Sequence, residues 1–173
     1  MMGFLKSVML PLNIAEHVID NYVYDKVLPM IGSVVYCDFI ASASIIQHSG
    51  IYVRGGNIIQ LNSSGVVEKV SPEEFVSGWG GFKCGSSIYV SCEGVYSVGS
   101  TSAAELAESL VGMQYSYGIT KFNCHQFVSG CLLGYVRDPD FVGFVDRVHS
   151  TLTGLKITSR VNLGSDNWRV WNR

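Results

Sequence analysis

Two glycines, Gly55 and Gly56, separate two runs of β-forming residues, QHSGIYV (47–53) and NIIQLN (57–62). No other stretch constrains the fold as much. β-branched and aromatic residues suit a pleated strand, and paired glycines supply the backbone a tight reversal needs. The two runs are therefore expected to pair antiparallel as a hairpin. Side chains alternate along a strand, so His48, Gly50 and Tyr52 share one face while Ile51 and Val53 take the other. On the returning strand Ile58 and Gln60 share a face, which makes Gln60 a candidate neighbour of His48. Gly50 removes bulk beside His48, where a substrate or the helix of Cys124 has room to approach.

Further strands are expected at SVVYCDF (33–39) and SSIYVSC (86–92). Helical spacing of Leu12, Ala15, Val18, Ile19, Tyr22, Val23 and Val27 predicts a helix over Leu12–Leu28, stopped by Pro29. Its polar side carries Glu16, Asp20 and Asp25, as befits a helix packed on a core rather than lying on a membrane. Ser71-Pro72-Glu73-Glu74 has the capping residue, first-turn proline and carboxylate that open a short helix. Ser102 and Glu105 form a similar box, opening a helix with Leu106, Ala107, Leu110 and Val111 on one side and closed by Gly112. A helix from Cys124 is closed by Gly134, and a last amphipathic one runs from about Asp140 to Leu152. The tail, with Trp168, Val170 and Trp171, reads as an edge strand or a flexible end. Together these elements predict one α+β domain over 1–173.

Charged residues are 15% and hydrophobic ones 47% of the 173 residues, a composition able to bury a core. A formal charge of −2 offers no basic field for nucleic acid. Five cysteines, at 37, 84, 92, 124 and 131, are scattered without the paired spacing of a metal site, so no metal or other cofactor is implied. Cys37, Cys92 and Cys131 read as small core residues. No secretory signal and no membrane span are recognisable. The expected location is the cytoplasm or delivery by a non-classical route, with transient contact with a membrane surface as the most that is allowed.

The chemistry concentrates at Asn123-Cys124-His125, running into the apolar Gln126-Phe127-Val128. A cysteine at the first turn of a helix meets unpaired amides and the positive end of the helix dipole, both of which favour the thiolate. The same amides, that of Cys124 foremost, can hold the oxyanion formed when sulfur attacks a carbonyl. His48 is the expected base, and Gln60 is suited to hold its far ring nitrogen. His125 is a rival, though adjacent residues on a helix do not face each other. Asn123, Tyr52 and Tyr115 are expected to line the substrate pocket, whereas Tyr117 reads as packing, and His17 and His149 as structural.

Three stretches resemble the lecithin:retinol acyltransferase-like family, the circularly permuted branch of papain-like thiol enzymes related to bacterial cell-wall peptidases of the NlpC type. GSVVYCDF (32–39) is similar to the family's opening strand, with Ser33 in place of its usual aspartate. QHSGIYV followed by GNIIQL is similar to its histidine strand and return strand. LVGMQYSYGITKFNCHQFV (110–128) is similar to the block around its nucleophile, with His125-Gln126 where Glu-His is usual. The resemblance covers about 32–134 in the family's order, histidine before cysteine. It implies a permuted papain-like fold with Cys124 as nucleophile, His48 as base and Gln60 as the orienting residue, where most animal members have a second histidine. The missing apolar anchor at the end of the chain suggests a bacterial or viral relative, such as a delivered effector.

Three functions stay open. The first is a thiol-dependent acyl-transfer enzyme on a lipid ester, a phospholipase A-type hydrolase or acyltransferase with a Cys124 thioester. The second is a cysteine amidase or peptidase on cell-wall peptides or protein amides. The third is a catalytically inactive binding module. A lipid or acyl substrate is the expected partner.

Overall fold

The structure is a computed structural model that describes residues 26–41, 44–77, 87–118, 122–136 and 151–173. Most of the expected helices 140–152 and 12–28 lies outside these residues, as do Cys84, His17 and His149; at 151 the chain is extended, and Thr151 caps a separate helix that begins at Leu152. At 26–28 the chain is extended rather than helical, and Val27 bridges Trp171.

The architecture is α+β. Its strands are β1 (Val34–Ala41), β2 (Ser44–Tyr52), β3 (Ile58–Leu61), β4 (Val67–Val70), β5 (Tyr89–Glu93), β6 (Tyr96–Ser97) and β7 (Asn167–Val170). They form an antiparallel sheet in the order β4-β3-β2-β1-β5-β6, with β7 also pairing β5. The helices are α1 (Pro72–Ser77), α2 (Thr101–Ser109), α3 (Cys124–Leu132) and α4 (Leu152–Leu163). Among the described residues no helix is long and apolar enough to cross a membrane.

The hairpin forms as the glycines demand. Gly55 and Gly56 have φ of 78° and 80°, and the Val53 amide donates to the Asn57 carbonyl. Gly50 pairs Gln60 and Tyr52 pairs Ile58, which puts Gln60 on the same face as His48, as expected. The tail forms strand β7, with Val170 and Trp171 buried.

One cap is as read. The Glu74 carboxylate accepts from the Ser71 amide while the Ser71 hydroxyl accepts from the Glu74 amide. Asn123, expected in the pocket, instead caps α3, as shown below. The expected Ser102 box differs. Ser100, not Ser102, caps α2, accepting from the Ala103 amide. The reason is steric. Gly32 packs so tightly under Ser100 that a β-carbon on it would lie 1.9 Å from the Ser100 carbonyl oxygen, and this backbone contact fixes where the helix starts.

Both sheet faces are covered. On one, Val34, Ile51, Ile59, Leu61 and Val67 pack against Ala103, Ala104 and Ala107 of α2, Phe127, Val128 and Cys131 of α3 and Leu155 of α4. On the other, Val35, Cys37, Phe39, Ile58 and Val90 pack with Phe75 of α1 and with Trp171. Strand β2 runs through the middle and contributes to both.

Candidate active site

Cys124 opens α3. Asn123 precedes it in extended conformation, and its side-chain oxygen accepts from the amides of His125 and Gln126 at 3.0 and 3.1 Å. The Gln126 side chain returns the favour, accepting from the Asn123 amide at 3.0 Å. This reciprocal cap occupies Asn123, so its role is to shape the helix start rather than to line a pocket. It also holds the first turn so that Phe127, Val128 and Cys131 face the core, with Cys124 on the same side of the helix.

The sulfur sits against β2. The groups that favour its thiolate are the main-chain N–H and the hydroxyl of Ser49, together with the amides of His125 and of Cys124 itself. The sheet explains why the Ser49 N–H is available. Pairing of β2 with β3 ends at Gly50–Gln60, so the amide of the next residue along the strand edge has no β3 carbonyl opposite it. These groups pull the thiol toward its charged form. Burial opposes them and is the larger influence, so the thiol is pushed above its ordinary range. The side chain is only 3% exposed.

His48 points the other way. Its ring lies 5.0 Å from that of Phe75 and 6.0 Å from that of Phe39, on the α1 side of the sheet. Ser49, the next residue, faces α3 by strand alternation. The ring contacts and strand alternation turn His48 away from the side of β2 that faces α3. One step along a strand reverses the side, and the sulfur meets the residue after the histidine.

Gln60 does hold His48, as expected. Its carbonyl oxygen is 2.8 Å from His48 Nε2, and its amide nitrogen donates to Glu68 Oε1 at 2.7 Å. A carboxylate oxygen only accepts, so Glu68 fixes which end of the amide faces the imidazole. Nε2 must then carry the proton, and Nδ1 is the basic nitrogen of His48. Burial pushes the pKa of His48 down to about 4, against a smaller upward pull from Gln60, which keeps the ring neutral.

His125, the rival base, is nearer to the sulfur's surroundings. Its Nδ1 is 2.9 Å from Ser49 Oγ, the hydroxyl that also favours the Cys124 thiolate. Burial, and secondarily the charge His48 would carry, push its pKa down to about 3. Neighbours on a helix do not face each other, but here a third side chain from β2 stands between them.

The remaining expectations change accordingly. Tyr52 packs edge-on against Trp171 at 5.2 Å, on the His48 side and away from the sulfur. Tyr115 stacks near Phe122 at 5.1 Å and serves the core. Tyr117 is the tyrosine electrostatically coupled to Cys124, its phenol pushed well up mainly by burial. Gly50 makes room for Ile58 and Phe75 rather than for substrate, since a β-carbon there would lie 2.5 Å from Ile58 Cγ2. Ser49 and Glu68 were not singled out from the sequence. Ser49 was readable only as a spacer between His48 and Gly50, and Glu68 lies on a strand that its own pattern did not announce.

Among the described residues no three His, Cys, Asp or Glu side chains cluster in a way that would hold a metal ion. The chain matches no family model, no curated protein and no solved structure.

Proposed function

We propose that this chain is a thiol-dependent acyl-transfer enzyme, a phospholipase A-type hydrolase or acyltransferase of permuted papain-like design with Cys124 as nucleophile. One observation carries the reading. Cys124 begins a firmly capped helix, with main-chain N–H groups of that helix and of β2 and the Ser49 hydroxyl favouring its thiolate. That set of donors suits a sulfur that becomes negative, and the Cys124 amide suits the oxyanion that follows attack. An apolar core position would need none of them. The choice of a lipid ester follows the resemblance of residues 32–134 to the lecithin:retinol acyltransferase-like family.

In this reading the thiolate attacks the ester carbonyl, a carbon–sulfur bond forms, and the carbonyl electron pair moves to oxygen. Collapse expels the alcohol and leaves a thioester on Cys124, from which water or a second nucleophile takes the acyl group. At 3% exposure the sulfur becomes reachable only when the side chains over it shift, and Tyr117 is the described aromatic coupled to it. The test is intact-mass analysis after incubation with long-chain phospholipid vesicles. An acyl adduct mapping to Cys124, absent in Cys124→Ala, is the expected result. Equal turnover by Cys124→Ala rejects the mechanism.

The same burial favours a second reading, a binding module whose sulfur is never acylated. No adduct with phospholipid or peptide amide, and a Cys124 thiol that titrates above the free-cysteine range, would select it.

A further inference from the structure

We propose that the hydroxyl of Ser49 relays the proton of Cys124 to Nδ1 of His125, so that the base of this site is the residue after the nucleophile. The inference rests on the acyl-transfer reading and concerns the same sulfur. Ser49 is fully buried, at 0% exposure; its oxygen lies 2.9 Å from His125 Nδ1, and its hydroxyl is among the groups that favour the Cys124 thiolate. A serine hydroxyl is one donor and two acceptor sites, enough to accept from a thiol and donate to an imidazole at once. His48 is turned away from this pair. Gln60 ties its Nε2, and its ring packs between Phe39 and Phe75 on the opposite side of β2.

The step balances without another reactant. The S–H bond of Cys124 breaks as its proton passes to Ser49 Oγ, and the Ser49 O–H proton passes to His125 Nδ1. The product is a thiolate facing a regenerated serine hydroxyl, with imidazolium Nδ1–H donating to that hydroxyl. When the tetrahedral adduct collapses, His125 returns the proton to the departing alkoxide. His125 is poorly placed to stay charged, because it is buried and His48 lies within electrostatic range. The ion pair is therefore a short-lived state, formed as sulfur attacks. The titratable groups facing this relay are Cys124 itself, His48 across the strand and Tyr117 beside the sulfur.

Alkylation of Cys124 by iodoacetamide, followed against pH by mass spectrometry of the Cys124 peptide, tests this without any acyl substrate. Failure of the relay and failure of the acyl-transfer reading therefore show separately. Ser49→Ala and His125→Gln are each expected to slow alkylation at pH 7 by about tenfold to a hundredfold and to move its midpoint upward. The double variant should lose no more than either single one, and Ser49→Thr should recover part of the rate. Multiplying losses in the double variant, an unmoved midpoint in Ser49→Ala, or an equal upward shift in His48→Gln overturns the proposal. Should a buried substitution prevent folding, the histidine ring 15N spectrum of the unaltered protein decides. A lone-pair Nδ1 on His125 at pH 7 supports the relay, and a protonated Nδ1 overturns it.

Discussion

The two sides of strand β2 hold the same kind of group in opposite settings. On the α1 side His48 lies between two phenylalanine rings, with one nitrogen tied through Gln60 to Glu68. On the α3 side His125 and Cys124 share a hydroxyl and a helix start. The first setting fixes an imidazole and isolates it from the sulfur. The second places imidazole and sulfur one hydroxyl apart. Both rings are kept neutral by burial, so charge state does not distinguish them. Connection does. A proton needs a chain of donors and acceptors to travel, and in the proposed relay Ser49 supplies it on the α3 side.

The largest expected effect tests what the two sides share. Each histidine takes a proton in the unfolded chain near its ordinary pKa of 6.5, but in the folded chain only near pH 4 for His48 and near pH 3 for His125. Below 6.5 the unfolded state therefore binds more protons, and stability falls as the pH falls. Denaturant titrations should show a loss of about 4 kcal/mol between pH 6.5 and 4.5 from the two together. His48→Gln should remove about half of that slope. A stability flat across this range would mean that neither ring is held neutral by the fold.

The next effect separates the sides. Gly50→Ala thrusts a β-carbon to 2.5 Å from Ile58 and 2.8 Å from the Ile59 carbonyl oxygen, so β3 must move. A loss of about 3 kcal/mol in chemical denaturation is expected, with Cys124 alkylation little changed. Smaller again is Gln60→Leu, which strips His48 Nε2–H and Glu68 of their partner and should cost about 2 kcal/mol. The smallest is Asn123→Ala. Loss of the cap should cost about 1 kcal/mol, and here the thiol side should respond, with alkylation of Cys124 slowed as the first turn of α3 frays. If Gly50→Ala silences the thiol and Asn123→Ala does not, the contrast between the sides is wrong.

What was legible in the chain was local. The hairpin at Gly55-Gly56, the Ser71–Glu74 box, the helix start at Cys124 and the His48–Gln60 pairing each depend on residues close in sequence, through period, turn chemistry or register. What was missed depends on distant partners. Strand β4 is four residues, VEKV, with two charges, and owes its state to pairing with β3. Helix α4 is rich in threonine, valine, isoleucine and asparagine, poor helix formers, and holds by its Thr151 and Gly164 caps and by burying Leu155. The side of β2 that faces Cys124 was not legible either. Alternation says that His48 and Ser49 point oppositely, but which of them meets α3 is set by how helix and sheet dock.

Glu68 sits on β4, the outermost strand of the sheet, yet it dictates the orientation of the Gln60 amide and through it the tautomer of an imidazole two strands inward. A lysine at 68 would reverse that amide, offer N–H to the ring, and move the basic nitrogen of His48 from one end of the imidazole to the other. The interior of this protein thus takes instruction from its rim, and a change at the perimeter rewrites proton placement in the core while leaving every core side chain in place.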